Sequence, residues 1–349
     1  MDRDAIDVLI DADAASADGS APGRVPHGST DDPWLLDFSA NVNPEFPEGV
    51  AQVYGMSLSA SRTYPPDAYT EYRAAAAEYV GCDARQVVPT AGGLAAIRLA
   101  LAATVDAGES VLVPYPSFGE YAREVRLQGG DVAFVPYDDL LDADPAGHAA
   151  AVVCNPNNPT GDAYDVAALR SFADRCREAD TPVLADEAFL GFTDRPSLAG
   201  REGVVVARSL TKLFGLPGLR AGFAVATGRL RDRLDAARVT WGLGTPAAAV
   251  GAHCLRDVDF VAATRHRVER ERERMRERLE TGYDVHPSDA PFLLLDVDTS
   301  DAVDALVETC RDGGVAVRDA RTFRGLDSHV RVAVRLPDEN DRLLAALGV

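Results

Sequence analysis

The chain has 349 residues, 46% of them hydrophobic and 7% aromatic, and a formal net charge of −20 at pH 7. This length allows a substantial core and fits two or three domains or one large α/β enzyme. No apolar run reaches the roughly 18 residues of a membrane-spanning helix, and the acidic balance makes nucleic acids and anionic membranes poor partners. The acidic N-terminal stretch lacks a basic leader followed by an apolar segment, so we expect no signal peptide and a cytoplasmic protein.

The use of charged residues is uneven. The basic residues are 34 Arg and one Lys, Lys212, against 38 Asp and 17 Glu. This composition is typical of a salt-rich cytoplasm and makes Lys212 conspicuous. The five cysteines are odd in number and widely spread, with no CxxC pair and no tight Cys/His cluster, so we expect reduced thiols and no metal site.

Chain order suggests four segments. Residues 1–25 read as an acidic arm, either mobile or a short helix, and residues 26–50 as the N-terminal part of a small domain, with a strand from Trp34. Residues 51–250 read as a large domain. Helix-like stretches at 69–80 and 94–105 precede short apolar runs that alternate with helical segments, which indicates a mainly parallel sheet covered on both faces.

The last segment, residues 251–349, reads as a small α+β domain. It begins with a highly charged stretch at 260–280, which predicts a long, solvated connecting helix. Three strand-like runs follow this helix.

The segment Ser209-Leu-Thr-Lys212-Leu-Phe-Gly-Leu-Pro-Gly-Leu-Arg220 carries the clearest chemistry. A lysine next to a hydroxyl group and an arginine suits a Schiff base with an aldehyde cofactor that also carries a phosphate. Arginine cannot replace lysine in this role because its guanidinium group stays charged.

Several further motifs stand in a fixed order before this one: TAGGL at 90–94, PSFGEY at 116–121, NPNNPTG at 155–161 and DEAF at 186–189. In this order they resemble the motifs of fold-type I pyridoxal-phosphate enzymes, the aspartate aminotransferase (class I/II) superfamily. The resemblance covers nearly the whole chain after residue 25. It implies an α/β fold whose large domain has a mainly parallel seven-stranded sheet, a smaller α+β domain, and pyridoxal 5′-phosphate as cofactor.

The resemblance also implies roles around the cofactor ring. Lys212 would hold the cofactor covalently, Asp186 would pair with the pyridine nitrogen, and Asn158 would donate to the 3-oxygen. Phe118 would stack on the ring. Many relatives have a tyrosine that contacts the 3-oxygen where this chain has Phe189, so that hydrogen bond is expected to be missing.

For the cofactor phosphate, a helix start with glycines lets backbone N–H groups approach an anion. The resemblance implies a phosphate cradle made by Gly92, Gly93, Leu94, Ser209 and Arg220. Tyr64 resembles the tyrosine that reaches the phosphate bound by the neighbouring subunit, which implies a homodimer.

On the substrate side, His27-Gly28, the segment DFSANVNP at 37–44 and the C-terminal arginines resemble the threonine-phosphate decarboxylases of this superfamily. The implied reaction converts L-threonine O-3-phosphate into (R)-1-aminopropan-2-yl phosphate for cobalamin synthesis. The implied substrate contacts are His27, Gly28, Asn41, Asn158, Arg318 and Arg331.

The two arginines suit a substrate with a carboxylate and a phosphate, because guanidinium groups bind both in planar forks. We expect Arg331 on the carboxylate and Arg318 on the phosphate, with Arg321 or Arg324 as alternatives to Arg318.

Two other functions remain open. A histidinol-phosphate-type aminotransferase would use the same cofactor and a similar phosphorylated substrate; His27-Gly28 and Phe189 argue against it. A non-catalytic pyridoxal-phosphate-binding regulator would usually carry a DNA-binding module, and the N-terminal arm is too short and too acidic for one. Decarboxylation and transamination differ in which bond at the substrate's α-carbon breaks, and no sequence rule reports that torsion.

Overall fold

The computed structural model describes residues 1–13 and 24–349 of the chain. Its helices, numbered in chain order, are α1 (Arg3–Asp13), α2 (Val50–Ala60), α3 (Thr70–Val80), α4 (Gly93–Thr104), α5 (Glu120–Leu127), α6 (Val166–Glu178), α7 (Gly228–Ala237), α8 (Thr245–Arg256), α9 (Val258–Leu279), α10 (Ser300–Asp312) and α11 (Pro337–Leu347). Its strands are β1 (Leu36–Asp37), β2 (Val87–Thr90), β3 (Ser110–Tyr115), β4 (Asp131–Pro136), β5 (Ala150–Cys154), β6 (Val183–Asp186), β7 (Val204–Ser209), β8 (Gly222–Val225), β9 (Asp284–Val285), β10 (Phe292–Asp296), β11 (Val315–Ala316), β12 (Arg318–Asp319) and β13 (His329–Ala333).

The start of the predicted arm is helical. The backbone N–H of Ala5 donates to Asp2 Oδ1 at 2.9 Å, a side-chain acceptor that satisfies one of the free donors at the beginning of α1. The N–H of Asp2 donates to the carbonyl of Leu127 at 2.9 Å, which joins this helix to the end of α5. The rest of the predicted arm, residues 14–23, lies outside the described residues.

Seven strands form the main sheet, in the order β2-β8-β7-β6-β5-β3-β4. Strand β8 runs antiparallel to β2 and β7, and the other neighbouring strands are parallel. The predicted mainly parallel seven-stranded sheet is therefore confirmed. Strands β5, β6 and β7 end at Cys154, Asp186 and Ser209, and the carboxyl ends of parallel strands meet at one sheet edge, the usual position of a ligand site in such folds.

Both faces of this sheet are buried, as the β-branched runs predicted. Along β6 and β7, Leu184 and Val205 belong to one buried cluster, and Val183 and Val206 belong to the other. Successive side chains of a strand point to opposite faces, so each face has its own apolar layer. Helices α4 and α5 cover one face, and α3 and α6 cover the other.

A second, antiparallel sheet has the order β12-β13-β10-β9. In its register Arg331 of β13 lies opposite Arg318 of β12, so two arginines of the predicted substrate site are cross-strand neighbours. Strand β1 pairs in parallel with β11, and the N–H of Ala333 donates to the carbonyl of Phe38 at 2.9 Å. The segment that follows β1 is thereby fixed next to the C-terminal sheet.

The charged helix at 260–280 differs from the prediction. Helix α9 buries one side through residues spaced three or four apart, namely Val261, Thr264, Val268, Glu271, Met275 and Leu279. This spacing places them on one helical face. The expectation of a solvated helix is wrong for that face, because the dense charge pattern on the other positions concealed the apolar period. Within residues 1–13 and 24–349, no helix combines the length and apolar character needed to cross a membrane.

We expect Glu187→Gln to lower the free energy of unfolding by about 3 kcal/mol, because removing one member of a buried ion pair leaves the other charge uncompensated. Arg208 Nη2 lies 2.8 Å from Glu187 Oε2, and both side chains are buried. Glu187 also accepts hydrogen bonds from Ser197 Oγ and the N–H of Leu198.

Urea denaturation followed by circular dichroism measures this effect. Glu308→Gln, at an exposed position of α10, is the matched control. Equal midpoints for the two variants would contradict a stabilising role for the Arg208–Glu187 pair.

Candidate active site

A cavity of about 360 Å³ lies at the carboxyl edge of the main sheet, between this sheet and the C-terminal layer. Most of the residues predicted from the sequence line it: His27, Gly28, Asn41, Gly93, Leu94, Phe118, Asn158, Asp186, Ser209, Lys212, Arg220, Arg318 and Arg331. Residues more than 300 positions apart in the chain therefore meet at one site.

Lys212 follows the end of β7 and lines the cavity. Its Nζ lies 5.9 Å from the centroid of the Phe189 ring and makes no hydrogen bond within the described residues. Burial lowers the pKa of the Lys212 ammonium group to about 8, with a further lowering by Arg331 and an opposing effect of Asp186. A sizeable fraction of this amine is therefore neutral, and hence nucleophilic, near physiological pH.

The turn that carries Lys212 is fixed by a residue that the sequence analysis missed. The backbone N–H of Asn43 donates to the Lys212 carbonyl at 2.9 Å, and Asn43 Nδ2 donates to the Leu213 carbonyl at 2.8 Å. Asn43 is buried and follows the predicted substrate residue Asn41 by two positions. The motif ANVNP indicates Asn41 as a site residue, but nothing in the sequence pairs position 43 with a turn 170 residues later.

Gly92 and Arg220 form one corner of the predicted phosphate cradle. Gly92 has φ +96°, and a Cβ atom at this position would lie 2.6 Å from Arg220 Nη2. Glycine is thus required both for the backbone conformation and for the approach of the guanidinium group. A Cβ on Gly93, at the start of α4, would lie 3.0 Å from Ser209 Cβ. Ser209 Oγ is within 2.7 Å of Thr211 Oγ1, a second hydroxyl group at the cavity wall.

Asp186 ends β6 at the bottom of the cavity. Its Oδ2 accepts a hydrogen bond of 2.6 Å from the Tyr121 hydroxyl, and its Oδ1 accepts one of 3.0 Å from the Ala188 N–H. Burial raises the pKa of the Asp186 carboxyl, while the Tyr121 hydrogen bond lowers it. The sequence analysis missed Tyr121, although it lies three residues after Phe118 in the same motif.

Phe118 also lines the cavity. Its ring packs edge-to-face on the Tyr121 ring, with 5.6 Å between centroids. Opposite, Asn158 Oδ1 accepts a hydrogen bond from Arg331 Nη1, so the Asn158 amide oxygen is already occupied by the protein. Its Nδ2 donor is the group left for a ligand oxygen, which agrees with the donor role expected for it.

Arg331 is 4% exposed, and its Nη2 donates to the Ser39 carbonyl at 2.9 Å. Its guanidinium carbon lies 5.2 Å from the centroid of the Phe292 ring and 5.6 Å from that of Phe323. Burial and the nearby positive charge of Arg318 lower the pKa of Arg331, with Asp37 opposing. A guanidinium group held in this way favours an anionic ligand.

Of the three candidates for the substrate phosphate, Arg318 is the one that lines the cavity. Its Nη2 donates to the Pro26 carbonyl at 2.8 Å and to Thr322 Oγ1 at 2.7 Å. Arg321 instead forms ion pairs with Asp319 and Asp304.

Arg324 packs on an aromatic ring: its guanidinium carbon lies 4.3 Å from the centroid of the Phe134 ring. Arg321 and Arg324 are therefore engaged elsewhere.

The N-terminal segment closes the outer side of the cavity. His27 Nε2 lies 3.2 Å from Glu120 Oε1, and a Cβ atom on Gly28 would lie 2.5 Å from the Ser39 carbonyl oxygen. Asn41 is 3% exposed, and its Oδ1 has no hydrogen-bond partner within the described residues. An unsatisfied buried acceptor at a cavity wall is a natural partner for a ligand N–H or O–H.

Tyr64 does not line this cavity. It is 75% exposed and stacks on Trp241 with 4.3 Å between ring centroids. Its expected role in a neighbouring subunit stays a prediction.

These side chains fit pyridoxal phosphate by their chemistry. The site provides the partly neutral amine of Lys212 and the carboxyl group of Asp186 at the base of the cavity. It also provides a Gly-rich helix start next to Arg220, where a Cβ atom on Gly92 would collide with the guanidinium group. These groups match an aldehyde, a pyridine nitrogen and a phosphate, respectively.

Comparison with known proteins agrees with this fit. Residues 35–347 match the family model "Aminotransferase class I and II", so the chain belongs to this family. It is a pyridoxal-phosphate-dependent member with the aminotransferase fold of that family.

Its relatives are of two kinds. Histidinol-phosphate aminotransferase 1 of Archaeoglobus fulgidus is 32% identical, over 90% of this chain and 98% of the relative. Threonine-phosphate decarboxylase of Salmonella typhimurium is 30% identical, over 90% of each chain. The crystal structure of L-threonine-O-3-phosphate decarboxylase from Porphyromonas gingivalis superposes with a TM-score of 0.80 at 26% identity, covering 89% of this chain and 98% of that one.

We expect borohydride trapping of pyridoxal phosphate on Lys212 of the apoprotein to rise with pH with a midpoint near 8, following the pKa of about 8. The neutral amine is the nucleophile, and a lowered pKa puts that form at lower pH than for an ordinary lysine, whose pKa is about 10.4.

Peptide mass spectrometry separates this label from that on the α-amino group. Lys212→Ala is the control, because its chain has no other lysine. A midpoint near 10 would contradict the burial of this amine.

A second prediction concerns the phosphate cradle. We expect Gly92→Ala to raise the dissociation constant of pyridoxal phosphate by about tenfold or more, because the methyl group displaces Arg220 and the positive φ is strained.

Gly81→Ala is the matched control, because Gly81 also has a positive φ, +74°, but its Cβ would meet no atom within 4 Å. We expect it to lose stability and keep its affinity for the cofactor in fluorescence titration. Equal affinities of the two variants would remove Gly92 from the cradle.

Proposed function

We propose that the protein decarboxylates L-threonine O-3-phosphate to (R)-1-aminopropan-2-yl phosphate, the phosphorylated amino alcohol used in cobalamin synthesis. The observation that carries this proposal is a pair of guanidinium groups at the cavity wall, Arg318 and Arg331, neither of which forms an ion pair within the described residues. Two uncompensated cations side by side suit a small substrate with two anionic groups.

The charges of the cavity can be assigned one by one. Arg220 lies at the phosphate cradle of the cofactor, and Lys212 reacts with its aldehyde. This leaves Arg331 and Arg318 for substrate. The deeply buried Arg331, held by Ser39, suits the carboxylate next to the reacting carbon, and Arg318, nearer the N-terminal segment, suits the more distant phosphate.

Bound pyridoxal phosphate supplies an aldehyde for the substrate amine and an electron-withdrawing ring for the electron pair left at the α-carbon. The chain's own residues do the rest. Arg331, with Asn158, orients the carboxylate, and Asp186 holds a proton on the ring nitrogen. Lys212 would hold the cofactor aldehyde before substrate binds, and its amine would be the group placed to return a proton to the α-carbon.

The main alternative is a histidinol-phosphate-type aminotransferase, which the Archaeoglobus relative favours at 32% identity. That reaction also needs the cofactor site and a phosphate-binding arginine. Two features support decarboxylation: Phe189 at the position of the usual tyrosine, and the wall at residues 25–28, whose His27 ring lies 6.0 Å from Phe118.

We also propose that the protein works as a homodimer to which Tyr64 contributes. Tyr64 and Trp241, on which it stacks, are both exposed aromatic side chains, and together they present an apolar surface of the kind that protein contacts use.

The test is turnover by the purified protein with pyridoxal phosphate in high salt. We expect CO₂ release from threonine phosphate with no 2-oxo acid present, and no transamination of histidinol phosphate with 2-oxoglutarate. Activity with the second pair alone would overturn the proposal.

Arg331→Gln should raise KM for threonine phosphate by about tenfold or more, since it removes a charge-assisted contact with the substrate. Arg311→Gln, at a surface position whose side chain is 67% exposed, serves as the control. An unchanged KM in Arg331→Gln would remove that residue from the carboxylate role.

A further inference from the structure

We infer that Tyr121 is a positioning residue for Asp186: its hydroxyl group keeps the Asp186 carboxylate ionised and turned towards the pyridine nitrogen of the cofactor. The inference concerns the cofactor that the whole family uses. It holds for decarboxylation and for transamination, so it does not depend on the proposed reaction.

The contact is short and closed to solvent. The Tyr121 hydroxyl donates to Asp186 Oδ2 at 2.6 Å, and the two residues are 0% and 7% exposed. The other oxygen, Oδ1, accepts from the Ala188 N–H at 3.0 Å. Each carboxylate oxygen can accept two hydrogen bonds, so these two donors fix the plane of the group and leave acceptor capacity towards the cavity.

Asp186 lacks the support that its neighbour has. Glu187 faces the guanidinium group of Arg208 at 2.8 Å, whereas Asp186 forms no ion pair within the described residues. A buried carboxylate without a cation becomes neutral unless hydrogen bonds to its charged form compensate for the loss of water. The Tyr121 hydroxyl is the one side-chain donor to Asp186 among the described residues.

The other groups around Asp186 do not replace this donor. Burial raises the pKa of Asp186, Glu187 raises it further, and Lys212 lowers it through its charge. Lys212, with a pKa of about 8, is itself partly neutral and is the group that the cofactor occupies. Burial also raises the pKa of the Cys154 thiol to about 12, so this neighbour stays uncharged.

The phenol itself stays protonated. Burial and the charge of Asp186 hold the pKa of Tyr121 well above its ordinary value, so the hydroxyl remains a donor over the working range of pH. The direction of the effect follows. Without this donor, the pKa of Asp186 rises further, a smaller fraction of the acid is ionised at a given pH, and the pyridine nitrogen loses part of the anionic support that keeps it protonated.

Tyr121 also packs in the core, edge-to-face on Phe118 at 5.6 Å between centroids. The substitution Tyr121→Phe keeps this ring and removes the hydroxyl alone, so it separates the two roles. Tyr69→Phe is the matched control, because it removes another buried hydroxyl, one that donates to the Leu243 carbonyl at 2.8 Å, away from Asp186.

The experiment is ¹⁵N NMR of holoenzyme loaded with pyridoxal phosphate labelled at the ring nitrogen, recorded from pH 6 to 9, with the dissociation constant of the cofactor measured in parallel. In Tyr121→Phe we expect the ¹⁵N signal to move from the pyridinium position towards that of neutral pyridine, at a pH where the unmodified protein still shows pyridinium. We also expect the dissociation constant to rise by about tenfold or more, as for the loss of a hydrogen bond to a charged group.

Tyr69→Phe should leave the ¹⁵N signal and its pH profile unchanged, even where it lowers stability. An unchanged ¹⁵N profile in Tyr121→Phe would overturn the inference and reduce Tyr121 to a packing residue. If that variant does not fold, 3-fluorotyrosine placed at position 121 alone gives a stronger donor of nearly the same shape. It should move the ¹⁵N signal further towards the pyridinium position, the opposite direction to Tyr121→Phe, and an unmoved signal would again overturn the inference.

Discussion

The constraint on which the site depends is the gathering of cations around one cavity. Lys212, Arg220, Arg318 and Arg331 all line it, in a protein whose net charge is −20. Burial lowers the pKa values of Lys212 and Arg331, and repulsion from the neighbouring arginines, Arg331 and Arg318 respectively, lowers them further. Anionic ligands relieve such an arrangement, so the cavity favours ligands that carry negative charge.

Holding these charges in place requires backbone from several parts of the chain, and residues 118–121, which lead into α5, provide part of it. Phe118 lines the cavity, Glu120 contacts His27 at its outer side, and Tyr121 contacts Asp186 at its base. Four consecutive positions, 118–121, thus contribute to the lining of the cavity, to its outer side and to its base. A shift of these residues would disturb ring stacking, the outer wall and the acid together, which couples cofactor binding to the shape of the substrate pocket.

The sequence predicted the parts of this arrangement that repeat locally. Short β-branched runs indicated the parallel sheet, and Gly92, Lys212 and Asp186 stood in motifs to which the family resemblance assigned roles around the cofactor. Contacts between distant side chains could not be read in this way. Tyr121 and Asp186 are 65 positions apart, and nothing in either neighbourhood names the other. Likewise, the choice of Arg318 over Arg321 depends on Asp304, which neutralises Arg321 from another helix. The apolar face of α9 was concealed because its buried positions stand among charged ones.

The division of labour between the two layers explains why relatives with different reactions share this architecture. Lys212, Asp186 and the phosphate cradle come from the main sheet, whereas Arg318 and Arg331 come from the antiparallel sheet, next to the segment fixed by β1. The first layer supplies chemistry common to all substrates. In the proposed function, Arg318 and Arg331 of the second layer orient the substrate, and hence set which bond at its α-carbon stands perpendicular to the cofactor ring. This agrees with the similar identity, 32% and 30%, to an aminotransferase and a decarboxylase, because overall identity weights the shared layer far more than the few residues that orient the substrate.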